Sequence, residues 1–392
     1  MIYNSDLLLA NIQPDVIPTI IRSDDLLSLE NICLRTGIMK TTNNIENATV
    51  FCINIMLYVT FSEVINFDDV FTSEIKNKIN STAKLVIYHS HECHNMYNNN
   101  YSRRVWDKII GKLMASGIDT SRVVFVSGDV FIENRKQRNT DLFTVIGLDI
   151  FEYFYNIQIK DGEIIPQQNI FSIDKQYDFL FLNSVPRVQR CILKYFLEEH
   201  GLLDRAIWSW VIADESVDTH WIKEFTKDNN IREKFDDIVA TSSKQKLLDV
   251  SRDRLIAEQY QAYLNKEWTD NTIFNLITET NIIPGTMFIT EKTYKSIFFS
   301  HPFMLYANPG MISYLHTRGY ETFPEMFDET YDTAAGMKKI NLFINNIKTF
   351  KDNVSGKESI INEKLRHNVA VFTTHKYATE LKQKLEQITC AL

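Results

Sequence analysis

Glu291 and Lys292 stand side by side in Thr290-Glu291-Lys292, where a loop containing Pro284-Gly285 gives way to an amphipathic stretch with helical spacing. A helix start presents unpaired backbone N–H groups and the positive end of the helix dipole, a natural seat for a phosphate. A cation there clamps phosphate oxygens, while a carboxylate accepts hydrogen bonds from hydroxyls. Lys295 lies one turn further along, and Glu279 ends the strand-like run before the loop. Taken alone, the same pattern also describes an ordinary helix start, with Thr290 as cap and Glu291 favoured by the dipole.

A second group follows the apolar run ending at Leu182. Asn183 leads a turn through Ser184–Pro186, and Arg187 and Arg190 occupy the first turns of the helical stretch Val188–Glu199. Arginine suits bidentate phosphate contact, and residues three apart share one helix face. Cations at a helix start oppose the dipole, so an incoming diphosphate is one reason for them; solvated surface arginines are the other.

A third group is His89, His91, Glu92, Cys93 and His94. Histidine and cysteine are zinc ligands, but no second ligand pair follows at finger spacing. At a strand end, Glu92 is also suited to act as a general base, with His91 and His94 as rivals; a purely structural cluster is the third possibility. Asp129, in Ser-Gly-Asp after Val123–Ser127, is a candidate of the same kind or only a turn.

The ordered series from Glu279 through FITEKTYKSIFFSHPF resembles the donor-binding motif of the α1,3-fucosyltransferases. It is similar also to phage and large-virus glycosyltransferases, including enzymes that put sugars such as arabinose or glucose on hydroxymethylated DNA bases. The likeness spans Asp178 to Asp332. It implies a two-domain GT-B fold, metal-independent transfer with inversion, and no cofactor beyond a UDP- or GDP-sugar as co-substrate. Carried over, Glu291 accepts hydrogen bonds from donor hydroxyls and Lys292 meets the diphosphate, with Thr290 and Glu279 in support. Arg187 and Arg190 match an Asn-x-x-x-Arg-x-x-Arg turn that begins at Asn183, and Glu92 takes the place of the general base. The acceptor implied is either a glycan or a 5-hydroxymethylcytosine in double-stranded phage DNA. For DNA, Arg103-Arg104 and Arg135-Lys136-Gln137-Arg138 would meet backbone phosphate. A non-catalytic nucleotide-sugar-binding module and a zinc hydrolase using His89, His91 and His94 are the competing classes.

Positioning these groups requires alternating strands and helices. Thr49–Val59, Lys84–Tyr88, Val123–Ser127 and Leu142–Ile146 read as buried strands, with a helix over Arg103–Ser116. After the polar segment Ile157–Ser172, strands are expected at Tyr177–Leu182, Arg205–Ile212, Phe274–Thr278 and Pro302–Tyr306. Helices are expected at Val188–Glu199, Leu255–Leu264, Glu291–Phe299 and through the tail. This alternation predicts an α/β protein with parallel sheets. The expected domains are a Rossmann-like acceptor domain over 1–170 and a Rossmann-like donor domain with a helical tail over 171–392, facing a cleft. At 392 residues the chain exceeds one ordinary core. No Gly-x-Gly-x-x-Gly follows a strand, and no Walker-type loop is present. A net charge of −8 excludes a uniformly basic surface. Five scattered cysteines fit a reducing cytoplasm, the host's if the source is viral. No signal peptide or membrane partner is expected, and the oligomeric state stays open.

Overall fold

The structure is a computed structural model that describes residues 50–54, 67–89, 109–134, 143–160, 165–166, 168–183, 187–210, 228–242, 264–280, 282, 284–374, 380–381, 383–384 and 387. Contacts divide the chain into two units, Met1–Ile157 with Thr286–Phe288 and Lys376–Leu392, and Gln158–Gly285 with Ile289–His375. The division falls inside a helix, ahead of the 170/171 cut read from the sequence. It also groups the end of the tail with the first unit. No described helix is long and apolar enough to cross a membrane.

In the first unit β1 (Val50–Asn54), β2 (Lys84–His89), β3 (Val123–Ser127) and β4 (Thr144–Gly147) pair in that order, all parallel. Their near-continuous apolar runs, rather than alternation, are what burial on both sheet faces requires. Helix α1 (Ser73–Ser81) starts at Thr72, whose hydroxyl accepts from Ile75 N at 3.3 Å, and it buries Ile75 and Ile79. Helix α2 (Ile150–Lys160) follows β4. Just past β3, the buried Asp129 accepts from the backbone N–H of Phe131 at 3.2 Å and of Met287 at 2.9 Å. Val130 N donates to Met287 O at 3.0 Å, so this carboxylate ties Thr286–Phe288 to the unit.

The second unit holds β5 (Tyr177–Asn183), β6 (Ala206–Trp210), β7 (Thr272–Thr278) and β8 (Phe303–Tyr306), parallel, in the order β6-β5-β7-β8. The chain steps outward from β5 to β6, then returns to the opposite side of β5 for β7 and β8. The sheet therefore reverses its winding between β5 and β7. Its helices include α3 (Val188–Glu199), α4 (Glu291–Phe298), α5 (Met311–Thr317), α6 (Gly336–Val354) and α7 (Glu358–Thr373).

Apolar residues at helical spacing decide the packing. From α6, Phe350 meets Phe274 of β7 with ring centroids 5.1 Å apart, and Phe343 meets Tyr306 of β8 at the same distance. From α7, Phe372 packs on Tyr294 and Phe298 of α4. The apolar face of α4 is thus held by α7 while its first turn stays at the edge of the sheet.

Candidate functional site

In an open α/β sheet, ligands bind outside the carboxyl ends of the strands, at the point where the winding reverses. Here that point lies between β5 and β7. The register pairs Tyr177 with Thr272, Phe179 with Phe274 and Leu180 with Asn275, which brings Asn183 opposite Thr278 at the strand ends. The Thr278 hydroxyl donates to Asn183 Oδ1 at 2.5 Å.

Two helix starts are fastened to this place. The first turn of α3 docks through Gln189, whose Nε2 donates to the carbonyls of Glu279 at 3.2 Å and Thr280 at 2.9 Å. Arg190, 3% exposed, reaches the Thr278 carbonyl with a terminal nitrogen at 3.4 Å. Arg187 is the N-cap residue, partly buried, with extended backbone and no side-chain cap bond; the first turn of α3 contains no acidic residue. An anion seated at such a helix start would complement the dipole.

The start of α4 is built around Glu279. This fully buried carboxylate accepts from Thr290 N at 3.2 Å, Thr290 Oγ1 at 2.6 Å and Thr293 Oγ1 at 2.6 Å. Both of its oxygens are thus spent within the protein, on holding the loop end and the first turn of α4 against β7. Glu279 N also donates to Tyr306 O at 3.0 Å, continuing the β7–β8 ladder. Thr290 is the N-cap, its hydroxyl accepting from Lys292 N at 3.4 Å and from Lys292 Nζ at 3.0 Å.

On the open side of α4, Lys292 Nζ also lies 3.1 Å from Glu291 Oε1, with side chains 24% and 21% exposed respectively. Burial opposes ionisation of Glu291, but Lys292 and Lys295 outweigh it and hold the carboxyl down at about 2. Such a group stays ionised at neutral pH, accepts hydrogen bonds, and is a poor general base. Its stabilising contribution is in place above the ordinary carboxylate range and is lost as the pH falls through about 2.

Lys295 is 8% exposed. Burial lowers it most, Lys292 lowers it further and Glu291 raises it, which leaves it at about 8 instead of the usual 10.5. It therefore carries its charge below about pH 8 and sheds it above. An anion bound at this helix start should weaken as the pH rises through 8, and binding near pH 8–9 should take up a proton. Calorimetry of a nucleoside diphosphate in buffers of different ionisation enthalpy checks this. Lys295→Met should flatten the dependence; an unchanged slope in that variant would assign it elsewhere.

The structure therefore brings Asn183, Arg190, Glu279, Thr290, Glu291 and Lys292 to one edge of one sheet, with Arg187 at the head of α3 and Lys295 one turn into α4. Asp129 belongs to the first unit, where the described bonds of its carboxylate are from backbone N–H groups. His91, Glu92, Cys93 and His94, with Arg103-Arg104 and Arg135–Arg138, lie outside the described residues; for His89 only the backbone is described. Gln189, Thr278 and Thr293 do not stand out in the sequence. Thr293 sits three residues after the cap, a spacing that marks the first helical turn, but nothing in the sequence says that its partner is Glu279.

No family model and no curated protein sequence matches this chain. Among solved structures, an α1,3-fucosyltransferase is similar at a TM-score of 0.37 and 10% identity, over 87% of this chain and 91% of that one. The glycosylation associate protein (Gap123) complex from Streptococcus agalactiae is similar at 0.35 and 8% identity, over 94% of this chain and 61% of that one. Likenesses of this size carry no functional assignment, so the site stands on its own geometry.

Proposed function

We propose that this chain is a glycosyltransferase that takes a sugar from a UDP- or GDP-sugar and passes it to an acceptor hydroxyl, using two Rossmann-like domains of the GT-B kind. The observation that carries this is the meeting of two cation-bearing helix starts, α3 and α4, at the carboxyl end of β7 where the sheet reverses its winding. The glycosyl part rests on the ordered Thr-Glu-Lys series and the Asn-x-x-x-Arg-x-x-Arg turn.

In this scheme Arg187, Arg190 and Lys292 hold the donor diphosphate, and Glu291 accepts hydrogen bonds from donor hydroxyls. The acceptor oxygen attacks the anomeric carbon as the bond to the diphosphate breaks, and the acceptor proton passes to a base, assigned to Glu92. The cations offset charge gathering on the departing diphosphate, an electrostatic contribution that often dominates catalysis. No metal is invoked. Glu279 is a positioning residue, since its described contacts keep Thr290 and α4 in place.

The acceptor proposed first is 5-hydroxymethylcytosine in duplex DNA, with a glycan as the alternative. Purified protein is incubated with a panel of UDP- and GDP-sugars and each acceptor in turn. Transfer to one acceptor class is expected, together with thermal stabilisation by the matching nucleotide. Nucleotide binding with neither transfer nor donor hydrolysis would identify a binding module. Absence of any nucleotide-induced stabilisation would remove the donor site altogether.

A further inference from the structure

Asn183 ends β5 at the winding reversal and is 3% exposed. Its Oδ1 is taken by the Thr278 hydroxyl at 2.5 Å. Its Nδ2, which carries two hydrogens, has no hydrogen-bond partner among the described residues. Almost all buried polar side-chain atoms in folded proteins are matched, because an unmatched donor out of water is costly. Turning the amide over does not remove the problem. Nδ2 would then face Thr278 Oγ1, while Oδ1, equally buried, would lose its donor and the threonine proton would lose its acceptor. One polar atom of Asn183 is left over in either orientation, and only with Oδ1 toward Thr278 does the threonine proton keep its acceptor.

A leftover donor at this position has a ready explanation. The carboxyl ends of β5 and β7 are where the sheet admits a ligand, and the helix beginning a few residues beyond Asn183 carries Arg187 and Arg190. We propose that Asn183 Nδ2 donates a hydrogen bond to an anionic oxygen of the bound diphosphate, which makes it a binding residue that discriminates a diphosphate from an uncharged nucleoside. The proposal rests on the donor-site assignment above.

The test compares full-length wild type, Asn183→Asp, Asn183→Ala and Lys292→Ala for affinity toward UDP, GDP and the corresponding nucleosides. Asn183→Asp keeps the size and the acceptor for Thr278 but replaces the donor with a carboxylate. Asn183→Ala removes the donor without adding charge. Both should weaken diphosphate binding by about 10- to 100-fold, the range for a lost bond to a charged group, while nucleoside affinity changes by less than about 3-fold. A structural role alone would shift the melting temperature without separating diphosphate from nucleoside. Should Lys292→Ala lose diphosphate binding while both Asn183 variants keep it, the proposal for Asn183 is overturned and the donor site survives. Failure of wild type to bind any diphosphate would overturn both.

Discussion

Replacing Lys292 with alanine should lower the rate of sugar transfer by at least about 100- to 1,000-fold, the usual effect of removing one donor from a site that stabilises developing negative charge. The same change should leave the protein folded, at some cost in stability. Lys292 and Glu291 are partly buried, with side chains 24% and 21% exposed, and in the variant Lys295 still offsets the Glu291 charge. The Lys292 bond to Thr290 Oγ1 is dispensable, because that hydroxyl still donates to Glu279 and still accepts from the backbone N–H at position 292 in the variant. Transfer assayed under single-turnover conditions, beside a thermal melt, separates the two effects. Full activity in a folded Lys292→Ala variant would refute its role at the diphosphate.

Glu279→Ala should behave in the opposite way, as a folding variant first. Removing this carboxylate strips the acceptor from Thr290 N, Thr290 Oγ1 and Thr293 Oγ1 in a place sealed from water. Bonds to charged groups are worth about 1.5–3 kcal/mol each, and orphaned donors add their own desolvation cost. A loss of about 3 kcal/mol or more is expected, or roughly 6–12 °C in the melting temperature of a domain of this size. Glu279→Gln retains one acceptor oxygen and should lose less. A Glu279→Ala protein that melts like wild type yet fails to bind donor would show that the carboxylate meets the ligand rather than the helix.

These two residues also show what the sequence made legible. Strand β3 and helix α3 have the bounds expected from their apolar runs and spacing, Val123–Ser127 and Val188–Glu199. Thr290 as cap of α4 followed from a hydroxyl placed before an amphipathic run, because capping is local chemistry. Helix α6 runs on to Val354 before the chain breaks ahead of α7. Asn353 remains helical with its Nδ2 on Met326 O at 3.1 Å, and Gly356, at φ 75°, makes the break.

Long-range partners were another matter. Glu279 is 11 residues from Thr290, across a loop with no repeating pattern, and Asp129 is 158 residues from Met287. Composition and spacing carry no information about such pairs. The strand order was equally hidden, since alternating strands and helices fit a sheet that winds one way as well as one that reverses. It is the reversal that gives the residues at the ends of β5 and β7 a common place. The expected helix Leu255–Leu264 falls almost wholly outside the described residues.

The most direct measurement is a crystal structure of the protein with a bound nucleoside diphosphate. The expected result is a pyrophosphate at the carboxyl ends of β5 and β7, within hydrogen-bond distance of Lys292 Nζ and of at least one guanidinium from Arg187 or Arg190. A diphosphate seated elsewhere, with both helix starts facing only solvent, would contradict the account.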